Sequence, residues 1–134
     1  MKVLILEDDE QLSELLVEEI AEAGHTILGP AETVSEAFAV IAGGDMPDLA
    51  LVDIKLRHGS RGTEFAKEAT HRFNLPCIFV SSDVGDAIQH RHVAMGYISK
   101  PFRPATIVDS LETAQSIIEG KVPERIPDGL ELFQ

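Results

Sequence analysis

The chain alternates short, wholly apolar runs with longer stretches in which apolar residues recur every three or four positions. Val3-Leu4-Ile5-Leu6, Leu49-Ala50-Leu51-Val52 and Cys77-Ile78-Phe79-Val80 would be apolar on both faces of a strand, the pattern of strands buried in a parallel sheet. Between them, Leu12, Leu15, Leu16, Ile20 and Ala23 keep a helical period across residues 10–23, and Gly24 is the stop. Residues 25–28 read as a second strand closed by the turn pair Gly29-Pro30. Thr33-Val34-Ser35-Glu36 fits a capping box; it opens a helix through Ala37, Phe38, Val40 and Ile41, which Gly43-Gly44-Asp45 ends. Residues 55–62 read as a loop, with Gly59 and Gly62 as its punctuation, and residues 63–73 as a third helix. Strands are expected over residues 1–6, 75–80 and 95–99, and a last helix runs from Pro104 through Ile107, Leu111, Ala114 and Ile118 to Gly120. Residues 82–93 carry room for one short helix around 86–90. Five strands alternating with helices predict an α/β fold: a doubly wound five-stranded parallel sheet with helices on both faces.

Polar residues sit where the apolar runs end. Asp53 closes the Leu49–Val52 run, Glu7-Asp8-Asp9 follow Leu6, Ser81-Ser82-Asp83 follow Val80, and Lys100-Pro101 follow Ser99. Open α/β sheets place their sites at the carboxyl ends of strands, so one rim would gather acids, a hydroxyl and an amine. Such a set suits Mg²⁺ binding and phosphoryl transfer to a carboxylate, in which positioning and charge stabilisation do the work. Glu7 and Asp8 are the natural metal partners of Asp53, with the carbonyl of Lys55 reaching in from the loop; Lys100 offers a mobile point charge and Ser81 a hydroxyl. Taken singly, Asp8 or Asp9 could instead cap the helix that follows.

Composition narrows the classes. The 134 residues fit one domain. With 23 acidic against 11 basic side chains the formal charge is −12, which argues against direct nucleic-acid binding and against anionic membranes. Cys77 is the only cysteine, so no internal disulfide exists, and its place in an apolar run makes it a packing residue. No secretory or membrane-spanning stretch is present, and the cytoplasm is the expected location. His58, His71, His90 and His92 lack zinc-ligand spacing.

Four segments together carry a family resemblance: Val3–Asp9, Leu51–Leu56, Pro76–Ser82 and Gly96–Phe102. In order and spacing the chain resembles the receiver domain of two-component response regulators, over residues 1–119, with 120–134 a C-terminal tail or linker. The resemblance implies a flavodoxin-like sheet of order 2-1-3-4-5. It implies that Asp53 is the phosphoacceptor, charged by a histidine kinase or a histidine phosphotransfer protein. Glu7, Asp8, Asp53 and Lys55 would hold Mg²⁺, Ser81 and Tyr97 would be the switch pair, Lys100 the site lysine, and Pro101 a cis proline. A downstream protein target is implied, with the chain a monomer or a phosphorylation-dependent dimer. The interval from Ser81 to Lys100 is short for the family, so a stunted or missing fourth helix is expected and dimerisation through that face is put in question. Ile27-Leu28-Gly29-Pro30-Ala31 and the Arg57–Gly62 loop resemble receivers common in alphaproteobacteria, many of which stand alone or act in stress signalling. With no effector domain after residue 120, the expectation is a stand-alone or excised receiver, and residues 121–134 read as a cut linker, a tail on the domain or a partner-binding segment.

Two other functions compete with the switch. A small phosphatase with an aspartyl-phosphate intermediate would carry a second Asp two residues past the nucleophile, where this chain has Lys55. A receiver-like binding module would need no intact acid set. Lys55 and Asp83, each two residues beyond a site residue, are expected to pair across the mouth of the site.

Overall fold

A computed structural model describes residues 1–57 and 59–133; His58, part of the expected loop, lies outside the described residues. The elements run β1 (Lys2–Leu6), α1 (Glu10–Glu22), β2 (Thr26–Ala31), α2 (Val34–Ala42), β3 (Leu49–Val52), α3 (Gly62–Phe73), β4 (Cys77–Ser81), α4 (Val84–Gln89), β5 (Gly96–Ser99), α5 (Pro104–Ile118) and β6 (Leu130–Leu132). The sheet order is β2-β1-β3-β4-β5-β6. The first five strands are parallel, in the doubly wound order 2-1-3-4-5. The expected all-parallel sheet of five is corrected by β6, which pairs antiparallel with β5.

Because helices cover both faces of β1, β3 and β4, side chains of both faces are buried, and two cores result. On one face Leu4, Leu6, Val52 and Phe79 meet Ala37 and Ile41 of α2, Phe65, Ala66 and Ala69 of α3 and Ala87 of α4. On the other, Val3, Ile5, Leu51 and Ile78 meet Leu16 and Ile20 of α1 and Ile107, Leu111 and Ala114 of α5. Phe65 and Phe79 are fully buried, each stabilising the fold by about 1.5–3 kcal/mol. Cys77 lies in the same core, and burial pushes its thiol up to about 12, which removes the thiolate needed for reactivity.

Local signals were met in most places. Asp9 caps α1, its side chain accepting from the Leu12 N–H at 3.1 Å. Thr33 caps α2 through the Glu36 N–H at 3.1 Å, and the Glu36 carboxylate reaches back to the Glu32 N–H at 2.8 Å. Gly29-Pro30, expected as a turn, instead lies inside β2, with a cis bond and a register shift opposite Leu4 and Leu6. The strand tolerates it because β2 is an edge, where proline's missing N–H breaks no ladder on the open side. The stunted fourth helix is found: α4 has 6 residues and is followed by a short 3₁₀ turn at Arg91–Val93. No described helix is long and apolar enough to cross a membrane.

Candidate functional site

Parallel strands carry their chain in one direction, so the polar residues that follow β1, β3, β4 and β5 emerge along one rim. Glu7 and Asp8 leave β1, and Asp53 leaves β3, whose register with β1 pairs Leu6 with Val52. The Asp53 N–H donates to the Leu6 carbonyl at 2.9 Å, which fixes the two strand ends side by side. Carboxylate oxygens of Glu7, Asp8 and Asp53 lie within 4.8 Å of one another, and all three residues are buried.

Lys100 enters this cluster from the end of β5. Its Nζ is 2.7 Å from Glu7 Oε1 and 3.4 Å from Asp53 Oδ2. Its backbone N–H donates to the Ser81 carbonyl at 3.0 Å, and its bond to Pro101 is cis. The second oxygen of Glu7 accepts from the Asp9 N–H at 3.1 Å. Asp8 Oδ2 accepts from the backbone N–H of Arg57, whose Nε is 4.0 Å away. Asp9 caps α1, which leaves the Asp8 carboxylate in the acidic cluster.

One ammonium thus serves the Glu7 and Asp53 carboxylates, and it lies closer to Glu7 than to Asp53. Asp53 is raised from 3.8 to about 6, first because burial disfavours its ionised form and then because Glu7 adds a second negative charge; Lys100 opposes both incompletely. Burial alone would lower the Lys100 ammonium, but hydrogen bonding and attraction to Glu7 and Asp53 outweigh it and hold the group above its ordinary value. Three buried hard-oxygen donors with excess negative charge are the donor chemistry of a hard divalent cation, and the cluster is compatible with Mg²⁺.

Ser81, at the end of β4, is buried, and its Oγ accepts from the Asp83 N–H at 3.1 Å, leaving the hydroxyl proton free to donate. Tyr97 is half-buried in β5 opposite Phe79, so it shares a sheet face with Ser81, one pleat behind it. Lys55 and Asp83 form the expected ion pair, Nζ to Oδ2 at 3.3 Å, at the outer edge of the rim. The Asp86 N–H and then the Lys55 ammonium hold the Asp83 carboxyl below the usual range. The Lys55 backbone is tied into the loop by an isolated bridge to Arg61. His90 lies 3.2 Å from Asp86, which also pairs with Arg61, so α4 is tied to the start of α3.

Sequence reasoning missed three participants. Arg57 holds Asp8 through its backbone, which no side-chain motif announces. Gly62, expected as loop punctuation, is buried beneath the site: a Cβ there would be driven into the Asp53 carbonyl oxygen and come within 2.6 Å of Val52 Cγ1. Phe133 packs its ring 5.6 Å from that of Tyr97.

Known proteins share this fold. The family model of the response regulator receiver domain matches residues 3–112. The chain is 29% identical over 107 residues to the phyllosphere-induced regulator PhyR of Methylorubrum extorquens, an alignment covering 79% of this chain and 40% of that protein. The chain therefore spans less than half the length of that curated relative. Among solved structures it is similar to the signal receiver domain of a modulated diguanylate cyclase from Desulfovibrio desulfuricans G20, with 33% identity, a TM-score of 0.77 and coverage of 88% of this chain and 95% of that one. It is also similar to the PhyR receiver domain of Erythrobacter litoralis, with 29% identity, a TM-score of 0.77 and coverage of 85% and 88%. The two PhyR relatives agree with the alphaproteobacterial resemblance.

Proposed function

This chain belongs to the response regulator receiver domain family, and from that premise we propose that it is a phosphorylation-dependent switch of a two-component system, with Asp53 as the phosphoacceptor. The observation that supports this reading is the meeting of Asp53 with Glu7, Asp8 and Lys100 at one rim. A histidine kinase or histidine phosphotransfer protein is the donor, and a protein target in the cytoplasm reads the outcome.

Glu7, Asp8, Asp53 and the Lys55 carbonyl would hold Mg²⁺, which supplies positive charge against the phosphoryl oxygens. The chain's own residues do the rest. The Asp53 main chain is held by its N–H bond to Leu6 and its Oδ2 by the Lys100 ammonium, which restricts the orientation in which the carboxylate meets the donor. The Lys100 ammonium, 3.4 Å from Asp53, answers the charge that accumulates on transfer. The Ser81 hydroxyl donates to a phosphoryl oxygen, and Tyr97 follows on the same face. The phosphoryl group acts as a ligand that favours one of two states. Lys55, two residues past Asp53 and paired with Asp83, stands where a phosphatase of the aspartyl-phosphate type would need its acid.

The test is incubation with Mg²⁺ and acetyl phosphate, read by intact mass. One added phosphate that is lost in Asp53→Asn supports the switch. Turnover of phosphate esters would replace it with the phosphatase reading, and neither result would leave a binding module.

A further inference from the structure

The carboxyl-terminal segment does not trail from α5; it returns to the sheet. Leu132, Glu131 and Leu130 pair with Gly96, Tyr97 and Ile98, and the Phe133 N–H donates to the Met95 carbonyl at 2.8 Å. Positions far away in sequence are shaped to receive it. A Cβ at Gly96 would be driven into the Glu131 carbonyl oxygen and come within 3.1 Å of Leu132 Cα. Thr106 of α5 donates to the Asp128 carbonyl at 3.3 Å and leaves no room for a side chain at Gly129, whose φ is 95°. Leu130 is buried in the α1/α5 core, while Phe133 packs on Tyr97 on the opposite face. By contrast, the linker between α5 and β6 is mostly exposed, with Val122 91% exposed and Ile126 45%, and Pro127 its one buried residue. The strand is thus fitted at its end but short, and strung on a segment that would let it leave.

We propose that β6 is an intramolecular clamp over the β5 edge, and that its docking is coupled to the phosphorylation site through the Tyr97–Phe133 contact. The inference rests on the reading of Asp53 as phosphoacceptor and Tyr97 as the residue that shifts. A cavity of about 770 Å³ lies between the returning segment, β5 and α5, lined by Tyr97, Pro101, Thr106, Arg125 and Asp128 among others. It joins the Lys100-Pro101 loop to the clamp and gives Tyr97 room to move. A Tyr97 ring drawn away from Phe133 takes away that residue's apolar partner and weakens β6. By linkage, a weakened β6 favours the activated state by the same factor. While docked, β6 occupies the backbone groups of the β5 edge that a partner's strand would otherwise pair with.

The experiment is amide hydrogen exchange of residues 130–133 in the full chain, alone and with Mg²⁺ plus beryllofluoride as the phosphoryl mimic, with Asp53 phosphorylation scored separately by intact mass. Exchange in β6 is expected to accelerate at least about fivefold, and Phe133→Ala to tighten beryllofluoride binding by a similar factor. Phe133→Leu serves if the alanine variant folds poorly. Phosphate uptake at Asp53 with unchanged or slowed β6 exchange overturns the clamp and leaves the switch intact. No uptake at Asp53 removes the switch reading, and the clamp with it.

Discussion

Replacing Asp53 by Asn should make the metal-free protein more stable. The carboxyl is raised from 3.8 to about 6, by burial first and by Glu7 second, with Lys100 held closer to Glu7 than to Asp53. A folded-state value above the unfolded one means that the folded chain binds the proton more tightly and disfavours the ionised form. At about 1.4 kcal/mol per pH unit, ionised Asp53 costs folding about 3 kcal/mol at pH 7, net of its attraction to Lys100. That cost is present above pH 6, shrinks as pH falls through 6, and is gone below 3.8. Asn keeps the shape and drops the charge, so the variant should gain about 2–3 kcal/mol at pH 7. Urea denaturation in chelator, repeated between pH 4 and pH 7, measures it; the two proteins should converge as pH falls. Adding Mg²⁺ should narrow the gap, because a cation at one hundred times its Kd stabilises the wild type by about 2.7 kcal/mol and the variant by less. A variant no more stable than wild type at pH 7, with parallel pH profiles, would refute the claim that Asp53 is undercompensated.

Two further changes probe the surroundings. Lys55→Ala removes an ion pair whose partners are 62% and 32% exposed, so stability should change by less than about 1 kcal/mol; phosphorylated Asp53 should nonetheless lose its phosphate severalfold faster, because the pair hinders attacking water, and equal rates by intact mass would end that idea. Gly62→Ala forces a Cβ against the Asp53 backbone and should cost about 3 kcal/mol or more in urea denaturation, whereas a near-neutral result would mean that the loop yields freely.

The parts of this molecule that were legible in the sequence are those whose cause is local. Val3–Leu6, Leu49–Val52 and Cys77–Val80 read as strands buried on both faces, and a buried parallel sheet fixes which ends carry the acids. The Thr33–Glu36 cap and the stop at Gly24, with φ 94°, are also local. What was not legible depends on partners distant in the chain. Leu130-Glu131-Leu132 offers a single alternation, too little to mark a strand, and its cause is the absent side chain at Gly96. The Gly29-Pro30 pair has the composition of a turn, and only the edge position of β2 permits it inside a strand. Gly62 looked like a flexible loop residue because its constraint is the Asp53 carbonyl across the turn. In the same way, the sequence places Lys100 at a strand end but cannot say that it favours Glu7 over Asp53.

That preference explains where the protein concentrates its electrostatic cost. Asp53 follows the strand most enclosed by its neighbours, with Leu49, Ala50, Leu51 and Val52 all at most 2% exposed. Parallel pairing to β1 on one side and β4 on the other keeps its backbone from relaxing. An undercompensated carboxylate on a loop could turn toward water and lose its perturbation; here the main chain is held by the bond to Leu6 with Gly62 packed beneath, and the carboxylate by the Lys100 ammonium. The core therefore stabilises a site that, taken alone, destabilises the fold. Substitutions that relieve the charge should raise stability and abolish phosphate uptake together. Substitutions in the core beneath, such as Phe79→Leu, should lower stability while leaving Asp53 chemically competent so long as the chain stays folded.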